Sequence, residues 1–315
     1  MKQNEKSEMT VYLPLVTLED YRHNELWWAT VTLASNILKE GRVRKESDKY
    51  VLGVYKILNR IDYCLETIDK AKGFISRRPS IKELDKNDQM TITEYYMYHY
   101  DMVIHKLSTI RDLSYRLMNV IFKLGIENEK CNWFSILKEK DKIEIPGIMN
   151  LQQLYYIFLE EKKQERNNST HSGIIYLPFM REVDINVSVS QMIRLYNIPT
   201  DGWDPMAKGS YNEYKLRKCK KELLEHIDHY RNMSISFVHL LTCCMGHVFR
   251  NNLSDEIKTE FKKELESAKQ IVNGYENKNN KLTVLIDWLR HLDKTAKRFS
   301  KIKLESGKSL LLYFD

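Results

Sequence analysis

The sequence predicts an all-α protein, a multi-helix up-and-down bundle of long helices interrupted by one irregular insertion. Two observations support this prediction. Apolar residues recur at three- and four-residue steps along most of the chain, which is the period of an α-helix. Only 11 Gly and 6 Pro occur in 315 residues, fewer than a turn-rich β-architecture needs. Residues 1–18 form an N-terminal extension, and 19–315 form a single helical domain because no linker-like segment divides them.

Most of the predicted helices carry an apolar stripe at helical spacing, and together they cover 19–40, 47–75, 92–125, 149–168, 211–250, 253–275 and 281–300. Gly41 and Gly125 end the first and third helices, since glycine readily adopts the left-handed conformation that closes a helix. The third helix is the clearest, because its apolar residues follow a spacing close to 3.5 from Tyr96 onward. The polar residues 78–90, with Pro79, are expected to form a loop, and the tail SLLLYFD is a candidate docking strand.

The irregular insertion covers residues 174–209. It contains Pro178, Pro199 and Pro205, two glycines and the β-prone run IIYLPF. These residues predict a long connection with a short strand and a short helix near 188–196. Loops of this length in a compact domain are usually functional or mobile.

Composition restricts the function classes and the compartment. The net charge of +7 permits binding to an acidic polymer without requiring it. Five cysteines, an odd number with no CxxC, fit reduced thiols in a cytoplasm. The first ten residues lack the apolar core of a signal peptide, and no uninterrupted apolar window long enough for a membrane span occurs, so no membrane partner is expected.

The segment best suited to catalysis is Arg166-Asn167-Asn168-Ser169-Thr170-His171, which is followed by Ser172 and Gly173. It lies where the amphipathic helix 149–168 becomes fully polar. Histidine titrates near neutrality and can take or give a proton, and arginine binds two phosphate oxygens at once. These are the two needs of RNA cleavage by the 2′-hydroxyl, and no metal or other cofactor is required. One Arg and one His are few groups for this reaction, so two copies of the motif around a two-fold axis would supply a complete set of catalytic groups.

This Arg-Asn-x-x-x-His run after a long amphipathic helix resembles the signature of the HEPN superfamily, whose pattern is Arg, four to six residues, then His. The resemblance implies a helical bundle, and many members are ribonucleases of toxin–antitoxin and antiviral defence systems. It implies a homodimer in which two motifs form one composite site, with an antitoxin or regulatory protein as a further partner. By position, Arg166 would contact the scissile phosphate, His171 would transfer protons and Asn167 would orient them. Gly173 stands where some HEPN toxins carry a tyrosine that the partner enzyme modifies.

The residues leave other interpretations open. The motif is also compatible with a polar helix end in a non-catalytic binding or scaffold protein, or with an inactive HEPN-like module that senses a ligand. Arg231-Asn232 followed by His239 is a looser version of the motif. His239, Cys243 and His247 recur at four-residue steps, a spacing that allows two neighbours to share a metal, but the apolar surroundings favour core packing. Ser306-Gly307-Lys308-Ser309 lacks the first glycine of a phosphate-binding loop and is rejected.

Two further groups bear on RNA binding. The predicted phosphate contacts start the long helix after the insertion and are Lys215, Arg217, Lys218, Lys220 and Lys221. A run of rings at the start of the third helix comprises Tyr95, Tyr96, Tyr98, His99 and Tyr100. Helical periodicity places half of these rings inward, and the others are candidates for a groove or a subunit interface. The Trp27-Trp28 pair is expected to pack in the core or at an interface.

Overall fold

The computed structural model describes residues 9–11, 16–22, 24–41, 45–77, 92–145, 147–172, 181–199, 209–272, 301–304 and 309–311. The helices of this part are α1 Leu18–Arg22, α2 Glu25–Lys39, α3 Glu46–Ser76, α4 Ile92–Ile121, α5 Trp133–Lys138, α6 Ile148–Ser172, α7 Arg181–Leu195, α8 Gly209–Asn251 and α9 Asp255–Val272. Two short 3₁₀ turns, Asn128–Lys130 and Lys140–Lys142, flank α5. The all-α class predicted from the sequence is confirmed.

Three short strands form a small sheet that does not change this class. They are β1 Met9–Val11, β2 Lys301–Leu304 and β3 Ser309–Leu311. β1 pairs with β2 in parallel, and β2 pairs with β3 antiparallel. The strand expected in the C-terminal tail is therefore present at Ser309–Leu311.

The apolar stripes of α3 and α4 are buried as their spacing predicts. In α3, Val54, Leu58 and Ile61 have no exposed surface, and in α4 the same holds for Tyr96 and Tyr100. Each of these helices is about thirty residues long, and burial of one continuous stripe is what stabilises a helix of that length.

The segment expected to form one helix at 19–40 contains two, because Asn24 starts a new helix. Asn24 has extended backbone angles, φ −71° and ψ 151°, and its Oδ1 accepts a hydrogen bond from the backbone N–H of Trp27 at 2.9 Å. Its Nδ2 donates to Thr242 Oγ1 at 2.7 Å, so the cap is also held by α8. Asparagine is among the best N-cap residues, and this cap ends the continuity of the predicted helix. The second helix closes at Gly41, whose φ of +65° suits glycine.

The predicted insertion contains a longer helix than the sequence indicated. α7 spans Arg181–Leu195, whereas a short helix near 188–196 was expected. The run Val183, Ile185, Val187 and Val189 alternates β-branched residues at a period of two, which imitates a strand and hides the helical pattern. The loop predicted at 78–90 and the helix predicted at 281–300 lie outside the described residues.

Contacts divide the chain into two compact units built from non-contiguous segments. Unit 1 comprises Met1–Tyr63, Ile110–Phe158 and Asn232–Asp315, and unit 2 comprises Cys64–Thr109 and Leu159–Arg231. The assignment of 19–315 to a single domain stays a prediction.

Unit 1 is held by aromatic packing and by part-buried amide hydrogen bonds. The rings of Tyr50 and Phe249 stack with centroids 5.6 Å apart, and Asn252 Nδ2 donates to the carbonyl of Ile121 at 2.7 Å. Because α8 contributes Phe249, the end of this helix lies in the core of unit 1.

Unit 2 is held by charged contacts between α3 and α8. Lys72 Nζ lies 2.5 Å from Asp228 Oδ1, and the guanidinium of Arg231 binds both carboxylate oxygens of Asp69. Half-buried bidentate pairs of this kind fix geometry as well as contributing energy.

Part of α8, Tyr214–Asn251, is long and apolar enough to pass a test for membrane spans based on length and composition. Of the window that passes, 67% is buried inside the protein, as in a core helix. Length and composition are therefore weak evidence for a span here.

Candidate functional site at the polar end of helix α6

The first half of α6 is anchored in the core of unit 1. Tyr155 stacks on Phe237 with centroids 3.9 Å apart and ring planes 3° from parallel, and its hydroxyl lies 2.7 Å from Ser234 Oγ. Gln152, fully buried, donates from Nε2 to Ser114 Oγ at 3.0 Å. Buried polar groups that are satisfied in this way specify one register for the helix. The backbone that leads to the motif therefore starts from a fixed position.

The second half of α6 has no apolar face. Residues 160–172 read EEKKQERNNSTHS and contain no Ala, Val, Leu, Ile, Met, Phe, Tyr or Trp. A helix that is polar on all sides gains nothing by packing on an apolar core. Charges at helical spacing are mixed here: Glu160–Lys163 and Lys162–Glu165 are opposite charges three residues apart, whereas Lys162 and Arg166 are like charges four residues apart. This segment is thus suited to a polar partner, such as a nucleic acid or a polar surface of another copy.

The motif lies inside this helix, because α6 runs to Ser172 and not to the residue 168 expected from sequence. Arg166 and His171 are five positions apart, so their Cα atoms differ by about 140° around the axis and about 7.5 Å along it. Asn167 and His171 are four positions apart and share one face. The side chains of these three residues lie outside the described part of the structure. The helical backbone nevertheless means that Arg166 and His171 occupy different faces of one helix rather than a frayed end.

The predicted phosphate contacts lie on the solvent side of α8. Arg217, Lys218 and Lys221 are exposed and Lys215 and Lys220 are half-buried, while Leu216 and Cys219 between them are buried. Lys218 and Lys221 lie 3.9 and 3.8 Å from Glu222 and Glu225, contacts that are weak at an exposed surface.

Lys220 has a structural role. Its Nζ donates to the carbonyl of Ser76 at 2.7 Å, at the C-terminal end of α3. A lysine at this position satisfies a terminal carbonyl and the negative end of the helix dipole. Lys220, one of the five predicted RNA-binding residues, therefore holds α3 and α8 together.

The looser motif at Arg231 serves the fold of unit 2. The bidentate hydrogen bonds from Arg231 to Asp69 raise the pKa of the guanidinium further above its ordinary value. A guanidinium engaged in this way is committed to its carboxylate. Sequence reasoning did not identify Asp69 as the partner, because it lies 162 positions away.

The stripe of possible metal ligands on α8 forms local side-chain contacts. Cys243 Sγ lies 3.6 Å from His239 Nε2, and His247 Nε2 lies 3.0 Å from Asn251 Nδ2. Burial raises the pKa of the Cys243 thiol, which opposes the thiolate form that binds metals. Within the described ranges, no three His, Cys, Asp or Glu residues are grouped so that they could hold a metal ion.

An open pocket of about 530 Å³ lies in unit 1 after α4. Its walls include Gly125, Phe134 and Lys138. Its other ionisable residues, Glu127 and Lys130, pair with each other at 2.7 Å. This arrangement does not combine a nucleophile with a base, so the pocket is not the candidate site.

Comparison with known proteins decides the family. Residues 54–202 match the family model described as "HEPN_Cthe2314:-like HEPN". Residues 54–202 belong to the HEPN superfamily. The match extends from α3 through α7 and includes the Arg166–His171 motif, so the family that the motif indicated is confirmed for this part of the chain. The same comparison with curated proteins and with solved structures gives no significant match.

Proposed function

We propose that this HEPN protein is a metal-independent endoribonuclease that acts as a homodimer, with Arg166 and His171 as catalytic residues and Asn167 as an orienting residue. One observation supports this most: the Arg-Asn-x-x-x-His motif lies within the HEPN match, on a helix end that has no apolar face. RNA is the polar partner that matches this helix end, the net charge of +7 and the exposed cations Arg217, Lys218 and Lys221.

The proposed reaction breaks the P–O5′ bond of RNA. An imidazole of His171 takes the proton from the 2′-hydroxyl, whose oxygen attacks the phosphorus and forms a 2′,3′-cyclic phosphate. The leaving 5′-oxygen receives a proton from the imidazolium form, and the Arg166 guanidinium stabilises the negative charge that develops on the phosphate. Each step uses a proton or a charge supplied by the motif.

We propose two copies because Arg166 and His171 lie on different faces of a single helix, α6. Cα atoms about 140° apart on a helix do not converge on one phosphate by backbone geometry alone. Two α6 ends placed side by side would bring an arginine position of one copy beside a histidine position of the other. α7 and the turn after it follow the motif within unit 2 and carry exposed apolar residues that we assign to the contact between copies: Ile185, Met192 and Leu195 in α7, and Tyr196 and Ile198 just after it.

The test compares two versions of one RNA in the presence of EDTA. We expect the protein to cleave the all-ribose strand and to leave 2′,3′-cyclic phosphate ends. The same strand with 2′-deoxyribose at the cleaved position should remain intact, because the attacking hydroxyl is missing. Cleavage of both strands, or activity that EDTA abolishes, would contradict the proposed chemistry.

We further infer a role as an RNA-targeting toxin or antiviral effector in the cytoplasm, where the five free cysteines stay reduced. Expression in a host cell should stall growth, and His171→Ala should relieve the arrest at equal protein level. Growth arrest by both proteins would instead favour a non-catalytic HEPN-like binding or scaffold protein.

A further inference from the structure

Four rings meet in unit 2, where α3 ends and α4 begins. His99 lies at the centre: Phe74 stacks on it with centroids 4.9 Å apart and planes 14° from parallel. Tyr95 and Tyr98 approach it edge-on, at 4.5 and 5.4 Å. The hydroxyl of Tyr95 donates to the carbonyl of Phe74 at 3.3 Å, which ties the two helices together beside the rings. Phe74 is the member that the sequence analysis missed, since it belongs to the preceding helix.

The outer rings of this group are presented to solvent. Tyr98 is 62% exposed and Phe74 is 44% exposed, whereas His99 beneath them is 8% exposed. The same helix supplies the core through Tyr96 and Tyr100, which are fully buried. Tyr98 and Phe74 therefore keep a large apolar surface outside the core, in contact with the buried ring of His99.

His99 also has an unused polar atom. Its Nδ1 is buried and has no hydrogen-bond partner among the described residues. Burial lowers the pKa of His99, so the ring is neutral and offers one donor and one acceptor. A buried polar atom without a partner costs free energy in the folded protein.

Positive charge lies beside the rings, at the end of α3. Arg77 is exposed and lies close enough to Tyr95 for its charge to act on the phenol and partly offset the effect of burial, which raises the pKa of Tyr95. Lys220 reaches the neighbouring carbonyl of Ser76. Glu94 is the acidic residue in the first turn of α4, so the side of α3 is the one suited to a phosphate.

We propose that Phe74, Arg77, Tyr95, Tyr98 and His99, here called the ring patch, bind an unpaired nucleotide of RNA. The base stacks on Tyr98, and Arg77 contacts the adjoining phosphate. Exposed rings next to cations are the usual platform for single-stranded RNA, because every base has an aromatic face. This inference rests on RNA being the substrate class in the proposed function, and it adds where the strand is held before cleavage.

Binding is measured with a short single-stranded RNA whose 2′-hydroxyls are methylated, so that cleavage does not interfere. Tyr98→Ala should weaken binding roughly tenfold, as expected for loss of one stacked base. Tyr98→Trp should retain the affinity, because it keeps a stacking face. Tyr63→Ala is the matched control, since Tyr63 of α3 is 58% exposed and lies outside the ring patch; it should bind like wild type.

Two further measurements separate the contribution of base stacking from that of charge. An abasic oligomer of equal length should bind wild type and Tyr98→Ala equally, because it has phosphates but no bases. Arg77→Ala should reduce the slope of log affinity against log salt by about 0.7, the value for one phosphate contact on a single strand.

Three results would overturn the proposal: no binding of the methylated strand by wild type, an unchanged affinity in Tyr98→Ala, or equally tight binding of duplex RNA of the same sequence. Circular dichroism melts check that Tyr98→Ala is folded, which its exposure leads us to expect. The tests of the ring patch and of the catalytic motif are independent. If the protein does not cleave RNA but Tyr98→Ala weakens binding, only the nuclease chemistry is refuted. If the protein cleaves RNA but Tyr98→Ala binds like wild type, only the ring patch is refuted.

Discussion

At the scale of single residues, His99 shows how burial sets a protonation state. Its imidazole is enclosed by the rings of Phe74, Tyr95 and Tyr98, and this burial lowers its pKa. The unfolded chain therefore binds a proton at pH values where the folded protein keeps the ring neutral. The stability that this difference contributes is complete above the ordinary pKa of 6.5 and is lost as the pH falls from there through the lowered pKa of the folded state.

The first prediction follows from the lowered pKa of His99. His99→Phe keeps an aromatic ring at the centre of the ring patch but removes the titrating group. Its free energy of unfolding in urea should fall less between about pH 7.5 and about pH 5.5 than that of the wild type. Tyr98→Phe, which retains His99, should follow the wild-type profile. Parallel profiles for wild type and His99→Phe would show that His99 is not the group responsible.

Residue-level contacts also show what a single sequence can and cannot predict. The stripe through Val54, Leu58 and Ile61 was predictable because helical spacing alone decides which positions face the core. The pairing of Arg231 with Asp69 was not, because it depends on two helices meeting across 162 positions. The same limit applies to Phe74, which joins the ring patch only in three dimensions.

At the scale of elements, the proposed site lies in the second half of α6, and α7 follows it in unit 2. α6 carries the motif on a helix end without an apolar face, and α7 begins nine positions after Ser172. α7 has the opposite character: Leu195 is 76% exposed and Met192 is 53% exposed. Ile185 and Met192 are seven positions apart and Leu195 follows three later, so they lie on one side of the helix, as in the seam of a coiled coil. The alternation of β-branched residues hid the first half of α7, so the sequence predicted a helix only near 188–196, whereas it did indicate the polar end of α6.

The second prediction concerns that seam. Met192→Glu with Leu195→Glu should convert a dimer into a monomer, because charges at an apolar contact between copies stay desolvated and unpaired. Analytical ultracentrifugation measures the mass directly. Leu38→Glu is the matched control: Leu38 of α2 is 56% exposed but is outside α7, so this variant should remain dimeric. A double variant that sediments like wild type would place the contact elsewhere.

The oligomeric state and the activity are linked in this account. The monomeric α7 variant retains Arg166 and His171, so its RNA cleavage should be lost only because the second motif is missing. Full activity of a monomeric variant would refute the composite site while leaving a single-copy nuclease open.

At the scale of the whole molecule, two compact units are each assembled from distant segments of the chain. The class, the helical periodicity and the HEPN family were predictable from the sequence, because local spacing and one short motif carry them. The division into units was not predictable, since α3, α4, α6 and α8 each contribute residues to both units and no linker separates them. The HEPN match covers residues 54–202 and so leaves residues 1–53 and 203–315, which include parts of both units, outside the matched region.

The central claim is that Arg166 and His171 cleave RNA without a metal, and the most direct test is the cleavage rate of the purified protein in EDTA. We expect Arg166→Ala and His171→Ala each to abolish cleavage, with a drop of at least about a hundredfold for loss of a proton-transfer or charge-stabilising group. Arg60→Ala and His247→Ala change an exposed arginine and an exposed histidine outside the motif and should cleave at the wild-type rate. Wild-type cleavage by both motif variants, or no cleavage by the unaltered protein, would contradict the account.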